Sequence, residues 1–224
     1  MLRLLAPDVW VATHKLRFWG TPVVTRMTLF RLMDGSLLVI GPVPRSAELD
    51  REVAALGPVR FVVAPNRYHH LYAGEWAGHP DARLYGAPGL PKKRPDLRFH
   101  GTLGSVAPAE WAGQLDQELV AGLPVTNEVV FFHAASRTLV VTDLFFNYPP
   151  AKSAIVRLVR KLEDCDGKFT VPRIVRLLTR DRRAFARSIE RILAWDFDRI
   201  VMAHGTVVES GGRALAEEAL RGLR

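Results

Sequence analysis

With 224 residues, 48% hydrophobic and 24% charged, the chain is long enough to bury its own core, and its composition excludes disordered and collagen-like classes. Cys165 is the only cysteine, no apolar run approaches the roughly 18 residues of a membrane span, and the stretch from Met1 to Pro7 is too short for the apolar core of a signal peptide, so a cytoplasmic protein without disulfides is expected. The net charge of +8 leaves a polyanionic partner open.

The first third is β-rich. Val9-Trp10-Val11-Ala12 reads as a short strand and residues 23–32 as a longer one. Asp34-Gly35 is a hairpin signal, and residues 36–40 form the returning strand. Ser46, followed by Glu48 and Asp50, caps a helix that runs to about residue 56 and stops at Gly57-Pro58. Val59-Arg60-Phe61-Val62-Val63 is a buried strand, and Asn66, Arg67, His69 and His70 stand just past its end.

Residues 71–76 read as a short helix and 82–86 as a strand. The proline-rich, basic residues 88–98 read as loop. Strands follow at 117–122 and 128–132, and Ala135-Ser136-Arg137 turns into strand 138–142, which ends at Asp143. Helices dominate from residue 151 to the strand at 199–203, which delivers His204 and Gly205, and residues 214–223 form a last helix. No linker or repeat interrupts residues 1–224. The pattern is one α/β domain of two sheets flanked by helices.

From Arg173 to Arg191, seven arginines stand against Asp181 and Glu190, with Ile174, Leu177, Leu178, Phe185, Ile189 and Ile192 at helical spacing. Two readings stay open: helices with a solvated arginine face, or weak contact with an anionic membrane surface. No recognition motif marks a nucleic-acid partner.

Three strand ends therefore carry His-His, Asp and His-Gly. Imidazole nitrogen and carboxylate oxygen together suit zinc or iron. The alternative for each residue is structural: a hydrogen-bonded histidine, or a carboxylate stabilising a turn. His14, His79, His100 and His133 have no such neighbours in the sequence.

The order of these motifs resembles the metallo-β-lactamase superfamily. The matches are Asp34-Gly35-Ser36-Leu37-Leu38-Val39-Ile40, the histidine loop, Leu139-Val140-Val141-Thr142-Asp143 and Ala203-His204-Gly205. More narrowly, Ala64-Pro65-Asn66-Arg67-Tyr68-His69-His70-Leu71, Asn127-Glu128-Val129-Val130-Phe131-Phe132 and Thr142-Asp143-Leu144-Phe145-Phe146-Asn147 resemble the DUF4336 family of that superfamily. The resemblance implies a four-layer αββα sandwich with its site at the sheet edges.

It also implies a reduced metal centre. The superfamily's first motif is His-x-His-x-Asp-His. Aligned on His70, its acidic position falls on His69 and its earlier histidines fall on Pro65 and Arg67. The stretch from Gly122 to Asn127, where the superfamily places another histidine, has none. His69, His70, Asp143 and His204 are left for one zinc or iron ion, or for none. The implied activity is a mononuclear metal-dependent hydrolase acting on a small ester, lactone or amide. His69 then doubles as a proton shuttle, Glu128 assists catalysis, and Arg67, Phe145 and Tyr148 border the substrate. The alternative is a non-catalytic binding protein that has lost the dinuclear centre, its partner a small-molecule ligand.

Overall fold

In this computed structural model, which describes residues 1–18 and 21–223, the strands form two sheets and a small ribbon. The first sheet holds seven strands in chain order: β1 (Arg3–Ala6), β2 (Val9–Phe18), β3 (Thr21–Arg31), β4 (Leu37–Ile40), β5 (Val59–Ala64), β6 (Arg83–Gly86) and β7 (Gly101–Thr102). The first four are antiparallel to their neighbours, and β4 through β7 run parallel. Asp34 closes the β3–β4 hairpin by accepting the Ser36 N–H at 2.9 Å and its hydroxyl at 2.7 Å.

The second sheet has the order β13-β10-β9-β8, built from β8 (Leu115–Leu119), β9 (Val129–His133), β10 (Thr138–Val141) and β13 (Arg199–Met202). Strands β11 (Phe146–Asn147) and β12 (Phe169–Thr170) form the ribbon, which short polar-apolar pairs do not signal in sequence.

The helices are α1 (Ala47–Ala54), α2 (Ala73–Ala77), α3 (Leu90–Lys93), α4 (Ala154–Leu162), α5 (Arg173–Leu178), α6 (Arg182–Ala194) and α7 (Gly212–Ala219). Ser46 caps α1 as its sequence suggests, its hydroxyl accepting the Leu49 N–H at 3.1 Å.

Three apolar layers hold the sandwich together. Phe30, Leu38, Val63, Phe131, Val140 and Val201 meet between the sheets. Leu49, Val53 and Trp76 pack α1 and α2 on the outer face of the first sheet, against Leu29, Val39 and Val62. Phe185, Ile189, Ile192 and Ala216 pack α6 and α7 on the second, against Val130, Leu139 and Ile200. The order is thus helices, sheet, sheet, helices. Among the described residues no helix is long and apolar enough to cross a membrane.

Several elements differ from the sequence expectation: β1 and β7 carry no strand signal, and β8 spans Leu115–Leu119 where the sequence reads as strand over 117–122. Strand β2 runs on to Phe18, because His14, Lys15 and Arg17 lie on a partly exposed hairpin arm that tolerates polar residues. The stretch 88–98 contains α3: Pro91 sits in its first turn, where a missing N–H costs no helical hydrogen bond.

Candidate metal centre

Strands β10 and β13 run parallel in strict register, with Val141 paired to Met202. Asp143 and His204 each lie two residues beyond that pair. This shared offset brings Nε2 of His204 to 3.2 Å from Oδ1 of Asp143. The loop after β5 in the other sheet supplies His69, whose Nε2 is 3.4 Å from the same oxygen. The three donor atoms all lie within 4.8 Å of one another. The side chains are largely shielded, at 10% exposure for His69, 16% for Asp143 and 12% for His204, which leaves an opening to solvent.

Both rings are held from behind. Nδ1 of His204 is 2.8 Å from the Val24 carbonyl, which can only accept, so Nδ1 carries the proton. Nδ1 of His69 faces the Thr25 hydroxyl at 3.4 Å. In a neutral His204 ring, the Nε2 lone pair then points at a carboxylate oxygen. Two acceptors so placed repel unless a proton or a cation lies between them. Two donors about 2.0–2.2 Å from a tetrahedral zinc ion sit about 3.3–3.5 Å apart, close to the N···O separations found here. The donor set thus fits a metal ion, and three protein ligands leave a coordination position open.

Asp143 is fixed on its other sides. Its Oδ2 accepts from Asn66 Nδ2 at 2.6 Å, and the same amide donates to Thr142 Oγ1 at 2.9 Å. Burial opposes ionisation of Asp143, but His69 and His204 outweigh it and hold the carboxyl well below its usual range. Beneath it, Glu128 is 1% exposed; its Oε1 takes the Thr142 N–H at 2.6 Å and its Oε2 the Asp143 N–H at 2.9 Å. Burial and then the Asp143 charge push the Glu128 carboxyl up. Arg26 of β3 ties the sheets together here, donating to the Met202 carbonyl and, at 2.7 Å, to that of Gly205.

Several expectations need correction. His70 stands outside the cluster. Asn66 Oδ1 accepts the N–H groups of Tyr68 and His69, each at 2.8 Å, and this turn aims His69 at Asp143. His70 falls on the other side, its Nδ1 3.0 Å from Arg94 Nη1. Burial, then Lys93 and Arg94, hold its imidazole down to about 4. Glu128 holds the Asp143 loop, both its oxygens being engaged by backbone N–H donors. Phe145 is fully buried among core residues and packs on Phe169 at 4.9 Å, so it does not border a substrate. Its neighbour Phe146 stands edge-on to the His204 ring at 5.1 Å. Tyr148 packs on Phe146 at 5.5 Å and lies under the Arg160 guanidinium at 4.0 Å.

Sequence reasoning missed Val24, Thr25 and Arg26. Val24 acts through its carbonyl, which leaves no sequence trace. Thr25, Arg26 and Thr28 did leave one: three buried polar residues in an otherwise apolar strand.

The family model for the domain of unknown function DUF4336 matches residues 7–165, most of the chain. The chain belongs to the DUF4336 family. This DUF4336 chain is similar in fold to a metallo-beta-lactamase from Pontibacter korlensis, with a TM-score of 0.68 and 14% identity over 100% of this chain and 98% of that one. A metallo beta lactamase from Hirschia baltica aligns with a TM-score of 0.66 and 12% identity, over 100% of this chain and 97% of that one. Identities this low establish the metallo-β-lactamase-like fold alone. No curated protein matches the chain by sequence.

Proposed function

We propose that this DUF4336 protein is a mononuclear metal-dependent hydrolase of a small ester, lactone or amide, with zinc or iron held by His69, Asp143 and His204. One observation carries the reading: two imidazole Nε2 atoms converge on a single carboxylate oxygen at 3.2 and 3.4 Å. When bound, such an ion acidifies a coordinated water and polarises a carbonyl.

The chain's own residues do the rest. The Val24 carbonyl and the Thr25 hydroxyl orient the rings. Glu128 fixes the backbone from which Asp143 projects, and Phe146 shields one side of His204. Asn66 supports a single ion over two: its amide occupies the Asp143 oxygen that would reach a second metal. A substrate enters beside three partly shielded side chains, not into a closed core.

The competing reading is a non-catalytic binding protein. It is favoured by the same Asn66 contact, because the amide already engages one Asp143 oxygen without metal. Turnover separates the two. Purified protein is loaded with zinc or with iron(II) and offered a panel of esters, lactones and amides, then stripped with chelator and reloaded. The hydrolase reading expects activity that is lost on stripping, returns on reloading and is absent in His69→Ala. Metal-loaded protein inert to the whole panel supports the binding protein instead.

A further inference from the structure

We propose that the cleft lined by Arg67, Tyr68, Lys93, Pro124, Val125 and Arg180 is an anion-binding subsite that takes the carboxylate or phosphate group of the substrate. That the anion belongs to a hydrolysed substrate rests on the hydrolase reading; the anion site itself does not.

The charge arrangement comes first. Some arginines of this surface pair with carboxylates, as Arg45 does with Asp50, Arg94 with Asp96 and Arg176 with Asp164. Among the described residues, no carboxylate pairs with Arg67, Lys93 or Arg180, and none lines the cleft. Three like charges gathered without a counter-ion repel one another, and an oxyanion relieves that repulsion.

The cleft is also built, not merely charged. Nε of Arg67 is buried without a hydrogen-bond partner, while its Nη1 donates to the Pro124 carbonyl at 3.3 Å. The Arg67 backbone is pinned at both ends: its N–H donates to the Thr126 carbonyl at 2.9 Å, and its carbonyl accepts from Lys93 Nζ at 2.6 Å. Lys93 in turn sits over the Tyr68 ring at 5.2 Å. Burial, then Arg67 and Arg94, lower the Lys93 ammonium, as expected for a cation short of counter-charge. A volume of about 220 Å³ suits an oxyanion head group better than a large ligand.

Position links the cleft to the metal cluster. Arg67 and His69 are two residues apart on one loop, and Asn66 of that loop touches Asp143. A substrate anchored by its anion at Arg67 would have its remainder directed along this loop toward His69.

The test uses the purified 224-residue chain. Inorganic phosphate and acetate are titrated separately into the wild type, Arg67→Gln, Arg180→Gln and the control Arg221→Gln, with binding followed by amide chemical shifts. Saturable binding is expected that falls about tenfold or more in Arg67→Gln and Arg180→Gln and persists in Arg221→Gln. The exposed Arg180 keeps the test alive if Arg67→Gln fails to fold. Stronger binding of one probe tells phosphate from carboxylate. No saturable binding, or binding equal in both cleft variants and wild type, overturns the subsite. In a second arm, the kcat/KM ratio for matched anionic and neutral esters should fall in Arg180→Gln. An unchanged ratio overturns the assignment to substrate. Phosphate binding that depends on Arg180, with no ester, lactone or amide turned over by the metal-loaded protein, retains the anion site and overturns the hydrolase reading.

A separate observation concerns α4. None of its nine residues is buried. Ile155, Leu158, Val159 and Leu162 recur at helical spacing and stay exposed, at 77%, 61%, 40% and 58%. Residues 152–187 carry eleven lysines and arginines against four carboxylates, so this stretch holds +7 of the chain's +8. We infer that α4 lies on an anionic lipid surface, its apolar ridge among the acyl chains and its basic residues at the head groups. A second copy of this chain would set Lys152, Arg157, Arg160 and Lys161 against the same four residues. Sedimentation with phosphatidylcholine vesicles, with and without phosphatidylserine, tests this. Binding only to the phosphatidylserine vesicles is expected, weakened by salt and by Leu158→Asp or Leu162→Asp. Binding that ignores these substitutions, absence of binding, or a wild-type dimer that Leu158→Asp dissolves overturns it.

Discussion

Nε2 of His204 lies 3.2 Å from Oδ1 of Asp143, and the two residues stand at equal distance past an in-register parallel strand pair. Sequence positions 61 residues apart thus become neighbours through sheet register alone. A one-residue slip between β10 and β13 would turn one of the two side chains to the opposite face. Two of the three cluster side chains are therefore placed by the second sheet, and His69 by the loop after β5.

Glu128→Gln tests how Asp143 is held. A glutamine amide offers one acceptor where the loop presents two N–H donors, at Thr142 and Asp143. The expected cost is about 1–3 kcal/mol of stability, read from the denaturant midpoint. Metal affinity should fall by about 10–100-fold, read by competition with a chelating dye. Unchanged affinity in a folded variant would remove Glu128 from the support of the site.

Gly205 should tolerate no side chain. Its φ is +90°, and a Cβ there would come 2.2 Å from the Asn147 carbonyl oxygen. Gly205→Ala must therefore move the ribbon strand β11 or the turn that carries His204. A loss of about 2 kcal/mol or more is expected in equilibrium unfolding, together with weaker metal binding. A variant as stable as wild type would contradict the close approach of these two backbones.

His133 lies far from the cluster and gives a pH dependence of its own. It is 8% exposed, packs on Phe30 at 5.1 Å, and its Nδ1 meets the Ser136 hydroxyl at 2.8 Å. Burial lowers its pKa from the ordinary value of 6.5, and Asp8 opposes this only in part. The unfolded chain then binds a proton near pH 6.5 that the folded chain resists. Stability should fall as pH drops below that value, with a slope of up to about 1.4 kcal/mol per pH unit from this group. Unfolding of wild type and His133→Gln between pH 7 and 5 measures it. The variant should lose stability less steeply on acidification, and equal slopes would exclude His133 as a source.

Much of the sandwich was legible because its signals are local. Asp34-Gly35 is a turn wherever it stands between apolar runs, and Ser46 marks a helix start from its own neighbours. Asp143 and His204 were legible for the same reason, each closing an apolar strand. The choice between His69 and His70 was not, because it depends on Asn66 capturing two backbone N–H groups and on Arg94 arriving from 24 residues away. Phe145 and Phe146 pose the same problem, since adjacent side chains at a strand end take opposite sides. The cleft was half legible: Arg67 stood out in the histidine loop, but Lys93 and Arg180 reach it only through the fold.

Metal content per chain tests the central claim most directly. The protein is purified without a histidine tag, loaded with zinc or iron(II), freed of excess ion and measured by elemental analysis beside His204→Ala and His79→Ala. His79 makes a fair control, lying against Trp76 at 5.7 Å and outside the His69–Asp143–His204 group. The expected result is close to one ion per chain in the wild type and in His79→Ala, and none in folded His204→Ala. Two ions per wild-type chain, or one retained without His204, would contradict a single centre built on His69, Asp143 and His204.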